Sequence, residues 1–146
     1  MTTEIKQLPE MVLEAPKGGF KYDKTKDGWK LEKDCGPVVG EPSLFLAEFL
    51  REGENCVSGD IMVARAQEME GSGTGQFLAE RMLEQADRIP VEWRQYYLVF
   101  TETVWVVPRG VRCVPYLRWG GRQWCLYWYY LADGWGSYFR VVRLRK

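Results

Sequence analysis

From Glu92 to the carboxyl end, runs of β-branched and aromatic residues alternate with turn signals only a few residues long. Runs of this composition suit a pleated, half-buried surface, and Gly and Pro punctuate them. Strands are expected over about 95–107, 111–118, 123–131 and 137–144, joined through Pro108-Arg109-Gly110, Gly120-Gly121 and Asp133-Gly134-Trp135-Gly136. Short connections make successive strands antiparallel neighbours. The last third therefore predicts a four-stranded antiparallel β-meander, of SH3-like or half-barrel type.

Ahead of the meander the apolar period is helical. Phe45, Leu46, Phe49 and Leu50 predict a helix from about Pro42 to Glu52, with Pro42 suited to a first helical turn and Gly53 as a stop. Ser58 can cap a second helix running through Met62, Ala66 and Met69, which Gly71 and Gly73 end. Leu78, Met82, Ala86 and Ile89 mark a third, with Glu84 and Arg88 paired four apart and Pro90 as its stop. Earlier still, Pro16, Gly18 and Gly19 break any helix, and Phe20, Tyr22, Trp29 and Leu31 alternate about Asp27-Gly28 as a short hairpin would. The expectation is a single α+β domain over residues 1–146: an entry and hairpin over 1–40, three helices over 41–90, then the meander over 91–146.

A chain of 146 residues, 46% of them hydrophobic, can bury roughly two-thirds of its unfolded surface without staples. No run of 18 apolar residues occurs, and Met1 to Lys6 show neither the basic start nor the apolar stretch of a leader, so no membrane association and a cytoplasmic location are expected. Cys35, Cys56, Cys113 and Cys125 are too scattered for a disulfide framework and form no C-x-x-C pair, which reads as free thiols.

The chain contains no histidine. This removes Ser-His-Asp and Cys-His nucleophile systems and most zinc sites, and no cofactor is expected. Carboxylate pairs remain open to an enzyme, but the acidic residues of the first part fall mostly on solvated surfaces. Glu102 differs, because it interrupts an apolar strand between Thr101 and Thr103; a salt bridge to a neighbouring Arg or a bulge that turns it outward is its ordinary explanation, a catalytic carboxylate the other. Gly71-Ser72-Gly73-Thr74-Gly75 resembles a phosphate loop only in composition. It follows a helix rather than a strand and no Lys-Ser or Lys-Thr comes after it, so a flexible helix-helix linker is expected.

Charge is unevenly divided. Residues 1–92 hold 18 acidic and 11 basic side chains, a net of −7, whereas residues 93–146 hold two acidic and nine basic, a net of +7. The aromatic content, 14% with seven Trp, is high, and Arg109, Arg112, Arg118, Arg122, Arg140, Arg143, Arg145 and Lys146 interleave with these rings. A hairpin turn at Gly120-Gly121 pairs positions summing to 241, placing Trp119, Arg122, Leu117, Trp124, Pro115, Leu126, Cys113 and Trp128 on one face. Val114, Tyr116, Arg118, Gln123, Cys125, Tyr127, Tyr129 and Leu131 take the other.

Most rings in a domain of this size are core, and basic edge strands also discourage unwanted pairing. The alternative is a binding surface built from Arg118, Trp119, Arg122, Trp124, Tyr127, Tyr129, Trp135, Arg140 and Arg143. Arg with aromatic side chains can track phosphates and stack on unpaired bases, and the same pair of residue types dominates protein hot spots. The expected function is a non-enzymatic binding module for single-stranded nucleic acid, or an adaptor or inhibitor that binds another protein, with a homodimer compatible with either. The acidic first part could equally cover the basic sheet within the monomer or across a dimer.

The segment Ile89-Pro90-Val91-Glu92-Trp93-Arg94-Gln95-Tyr96-Tyr97-Leu98-Val99-Phe100, with Thr103-Val104-Trp105 and Val114-Pro115-Tyr116-Leu117-Arg118-Trp119, resembles a set of short uncharacterised bacterial proteins. The resemblance implies a bacterial source and a sheet-rich ending, and it carries no activity, ligand or functional residue. Thiol titration of the denatured, non-reduced protein is expected to find four free sulfhydryls; finding none would reverse the assignment to a reducing compartment.

Overall fold

The computed structural model describes residues 9–12 and 20–145, so the expected breakers Pro16, Gly18 and Gly19 and the basic Lys146 lie outside the described residues. In chain order the regular elements are β1 (Met11–Val12), β2 (Lys30–Lys33), β3 (Ser43–Ala47), β4 (Cys56–Ser58), α1 (Gly59–Gln67), α2 (Gln76–Glu84), β5 (Tyr97–Val99), β6 (Val104–Val106), β7 (Arg112–Trp119), β8 (Trp124–Tyr130), β9 (Gly134–Gly136) and β10 (Phe139–Leu144). Two α-helices and ten strands among the described residues overturn the expectation of three helices followed by a four-stranded meander. The fold is mostly β, built on a mixed eight-stranded sheet with a two-stranded β4-β9 arm.

The missing helix is β3. Leu44, Phe45, Leu46 and Ala47 form a continuous apolar run whose members are all buried, and such a run is a helix or a doubly covered strand with equal periodicity. Non-local pairing settles it: Ala47, Leu46, Phe45 and Leu44 lie opposite Val141, Val142, Arg143 and Leu144 of β10. Residues 20–31 form no hairpin either. A 3-10 turn over Lys24–Asp27 ends at Gly28, and β2 pairs with the distant β6.

β7 is the spine of the sheet. β8 lies along one side of it from Cys113 to Trp119. The other side is occupied by one strand in two pieces. β5 sets Leu98 and Val99 opposite Leu117 and Tyr116, and β6 sets Trp105 and Val106 opposite Cys113 and Arg112. From Tyr116 to Cys113 the spine advances three residues while its partner advances six, from Val99 to Trp105, so the chain leaves the ladder as a bulge at residues 101–103. Pro115 sits in the spine at this interruption. Its carbonyl accepts the Phe100 N–H at 3.1 Å, and its missing N–H faces the gap, where no ladder bond is due.

Beyond the bulge the sheet forks. One branch continues from β5 to β10, β3 and β1, with β10 parallel to β5; the other runs from β6 to β2. This is why residues 137–144 do not extend a meander beside β8.

The Gly71-Gly75 segment fills the fork, so it is a wedge and not the flexible linker expected. Ser72 and Leu144 exchange backbone hydrogen bonds of 3.0 and 2.8 Å, the Thr74 hydroxyl donates to the Val142 carbonyl at 2.8 Å, and the Glu102 N–H donates to the Thr74 carbonyl at 2.9 Å. Gly73 must lack a side chain, because a Cβ there would lie 2.5 Å from Glu102 Cγ. Glu102 sits in the bulge, but the bulge does not turn it out to solvent, and its ion-pair partner is not a neighbouring Arg: the Lys33 ammonium of β2 lies 3.1 Å from its carboxylate. Arg143 clamps the start of the wedge, donating to the carbonyls of Met69, Glu70 and Gly71 at 3.0, 3.2 and 3.1 Å.

The two helices cover opposite faces. Leu98, Leu117 and Val142 pack with Leu78, Ala79 and Met82 of α2, whereas Val99, Val114 and Val141 pack with Met62 and Ala66 of α1. Ser58 caps α1 by accepting the Ile61 N–H at 3.4 Å. The Gln76 N–H at the start of α2 is taken instead by the Thr103 hydroxyl at 2.7 Å, which ties the helix to the fork.

The Gln76 side chain is fully buried. Its carbonyl accepts the indole N–H groups of Trp105 (2.7 Å) and Trp128 (3.0 Å), and its NH₂ donates to the Tyr22 carbonyl (2.8 Å) and to Glu80 (3.0 Å). Glu80 in turn accepts the Lys21 and Tyr22 N–H groups at 2.7 and 2.9 Å. Gln76→Leu removes the acceptor from the buried Trp105 indole and the half-buried Trp128 indole and is expected to lower stability by about 3 kcal/mol, read as a fall in the urea midpoint. Gln67→Ala, at an exposed position of α1, should change it by less than about 0.5 kcal/mol; equal shifts would refute the role of the amide.

Candidate aromatic binding face

The hairpin between β7 and β8 turns at Gly121-Arg122, one residue later than expected. The Gly120 N–H donates to the Gln123 carbonyl at 2.8 Å, and Gly121 takes the left-handed φ of 94° that the first position of such a turn requires. Paired positions sum to 243, so Trp119 lies opposite Trp124, Leu117 opposite Leu126 and Tyr116 opposite Tyr127. Moving the turn by one residue shifts each partner by two, which leaves every side chain on its expected face.

The face bearing Leu117, Trp119, Trp124, Leu126 and Trp128 is the covered one. α2 packs on Leu117, Trp119, Trp124 and Leu126, while Trp128 meets Trp29 edge to face at 5.9 Å. Two open grooves of ≈ 370 and ≈ 300 Å³ flank Trp124, one beside Lys21, Tyr22, Glu80 and Glu84, the other beside Arg94 and Arg122. Neither presents converging carboxylates, because both Glu80 oxygens hold the backbone at Lys21 and Tyr22.

The opposite face is covered at one end and open at the other. Trp135 is fully buried with Tyr129 and Phe139 packed around it, at 4.8 and 4.6 Å between ring centroids. Outward from this cluster runs a row of tyrosines drawn from four strands or their margins. Tyr138 and Tyr97 lie 6.2 Å apart, Tyr97 stacks on Tyr116 at 5.8 Å, and Tyr116 meets Tyr127 at 5.7 Å. Tyr138 is 68% exposed and Tyr127 44%. The Arg118 guanidinium stands 5.2 Å over the Tyr97 ring.

The nine residues expected to bind do not form one surface. Arg118, Tyr127 and Tyr129 share the open face; Trp119, Arg122 and Trp124 belong to the covered face and the hairpin tip. Trp124 and Trp135 are buried, as is Arg143 in its clamp. Arg140 lies over Tyr96 at 4.2 Å, with Glu48 at 3.6 Å.

The basic stripe is largely neutralised from within. Asp60 meets Arg112 at 2.8 Å, Glu10 meets Arg145 at 2.7 Å, and Glu48 meets Arg140, all three acids coming from the acidic first part. Arg94 is laid over Trp119 at 3.8 Å and Arg109 over Tyr130 at 5.5 Å. Among the described residues no carboxylate stands within ion-pair distance of Arg118 or Arg122. Nor do these residues contain a group of three or more Cys, Asp and Glu that could hold a metal ion, and among them no helix is long and apolar enough to cross a membrane.

Of the row, sequence reasoning selected Tyr127 alone; it placed Tyr116 on this face without choosing it, and it missed Tyr97 and Tyr138. Their only local signal is alternation within Tyr96-Tyr97-Leu98-Val99 and Tyr138-Phe139-Arg140-Val141. What joins them is the parallel pairing of β5 with β10, which sets Tyr97 beside Phe139 across many intervening residues. No family model matches the chain, and no curated protein or solved structure matches it.

Burial pushes the Tyr116 phenol above its ordinary value of 10, only partly opposed by Arg118, and the neighbouring Tyr97, Tyr127 and Tyr129 push it further in the same direction. Its neutral form is therefore favoured in the folded state. The stability this contributes is complete below the ordinary tyrosine value and is lost as pH rises through the elevated one. Tyr116→Phe is expected to leave stability at neutral pH within about 0.5 kcal/mol and to blunt the decline above about pH 10, both read from denaturant midpoints against pH. An unchanged alkaline decline would place its cause elsewhere.

Proposed function

We propose that this protein is a non-enzymatic binding module whose tyrosine face, with Arg118 among its rings, docks onto another protein in the cytoplasm. The observation that carries the reading is the row Tyr138, Tyr97, Tyr116 and Tyr127, exposed at its two ends, Tyr138 and Tyr127, and half-buried between them. Rigid rings supply contact area at low entropic cost, and Tyr with Arg is the composition of hot spots rather than of an idle surface. Four cysteines without a disulfide fit a reducing compartment.

Single-stranded nucleic acid is the other partner for which rings beside arginine are suited. It calls for a succession of cations following the phosphates. On this face Arg118 alone lies over the rings, because the acids of the first part engage Arg112, Arg140 and Arg145, and Arg143 is buried. The balance favours protein.

A photo-crosslinking amino acid in place of Tyr127, introduced in the native host, is expected to give an adduct with one discrete protein. The same probe in place of Ile61, an exposed residue of α1, should not. Arg118→Ala should weaken capture of that partner about 10-fold or more. Oligonucleotides should produce no shift at about 50 mM salt, where electrostatic binding is strong. A shift that falls steeply with added salt and is lost in Arg118→Ala would replace the protein partner with nucleic acid.

A further inference from the structure

The borders of the sheet are unequally guarded. β1 is two residues long, and β2 carries Lys30, Glu32 and Lys33 with a register shift between Leu31 and Lys33. Shortness, charge and irregularity are the devices that keep an edge from pairing. β8 has none of them: Trp124-Cys125-Leu126-Tyr127-Trp128-Tyr129-Tyr130 contains no charge, no proline and no bulge against β7.

Its free hydrogen-bonding groups follow from the ladder. Gly120 bonds to Gln123 and Leu131 to Arg112, so residues 123, 125, 127, 129 and 131 direct their backbone groups at β7. Trp124, Leu126, Trp128 and Tyr130 direct theirs away from it. The Tyr130 carbonyl is taken by the Trp135 indole at 3.1 Å and by the Asp133 N–H at 3.2 Å. Among the described residues, the outward N–H and C=O groups of Trp124, Leu126 and Trp128 meet no partner.

We propose that this edge pairs with the same edge of a second copy, antiparallel about a two-fold axis at Leu126. Three evenly spaced residues centred on Leu126 are self-complementary: Leu126 faces itself and Trp124 faces Trp128 of the second copy, giving about six N–H···O bonds. The charges agree with this orientation. β8 is preceded by Arg122 and followed by Asp133, whereas Asp60 at that same end is already paired with Arg112. Antiparallel pairing brings Arg122 of each copy toward Asp133 of the other, whereas parallel pairing would set Arg122 beside Arg122 and Asp133 beside Asp133. A two-fold axis normal to the sheet keeps equivalent faces on one side, so the two tyrosine faces join into one surface at Tyr127.

The test combines sedimentation with residue-resolved amide exchange on the unmodified chain. A particle of twice the chain mass at about 100 µM, with the Trp124, Leu126 and Trp128 amides protected in step with association, is the expected result. Leu126→Pro removes an N–H that β7 does not use and should give a monomer. Three outcomes overturn the pairing: a monomer at that concentration whose three amides exchange freely, a monomer whose three amides are protected by its own chain or by an added peptide, or a dimer in which they exchange freely. Because mass and exchange are the readouts, failure here leaves the partner of the tyrosine face untouched, and the converse holds.

Discussion

The carboxamide of Gln76 holds together parts of the chain that nothing local would join. Its oxygen and nitrogen reach β6 through Trp105, β8 through Trp128, the entry segment through Tyr22 and its own helix through Glu80, while its backbone N–H reaches the fork through Thr103. The amide is itself fully buried, where an unmet donor or acceptor costs about 1 to 3 kcal/mol. A core of apolar side chains alone would tolerate small slides of α2 along the sheet. Four directional bonds to one amide do not, and in this way the network selects a single docking for the helix and for residues 20–22.

The fork depends on the same logic. Splitting a sheet exposes backbone groups on both branches, and these must be met by something other than water. The Gly71-Gly75 wedge meets them with its own backbone, held in turn by Arg143 on one side and by the bulge at Glu102 on the other. A buried guanidinium spent on three carbonyls, and a glutamate whose neighbour must be glycine, are costs that make sense only because the gap would otherwise be unsatisfied.

Charge is distributed by these same long-range contacts. The acidic first part and the basic last part meet at Asp60 with Arg112, Glu48 with Arg140 and Glu10 with Arg145. These are surface pairs and each contributes little to stability. They also remove cations from what would otherwise be a continuous basic stripe and leave Arg118 among the tyrosines.

Much of the secondary structure after Glu92 was legible because strand-forming runs and turn residues act locally. β7 and β8 lie close to where alternation put them, and the faces of that hairpin survived an error of one residue in the turn, because side-chain direction has a period of two. The helices at Ser58 and Gln76 were legible through their apolar spacing. Leu44-Phe45-Leu46-Ala47 was not, since an apolar run buried on both sides has no period, and only pairing with β10 makes it a strand. Nor could the sequence reveal that Trp135 and Arg143 lie inside while Tyr97 and Tyr138 complete the open face. By itself the sequence determined composition, excluded histidine chemistry and set the alternation of each strand, because these depend on neighbours a few residues apart. Tertiary structure alone decided which rings face water and which arginines remain unpaired, because both depend on contacts between residues far apart in the chain.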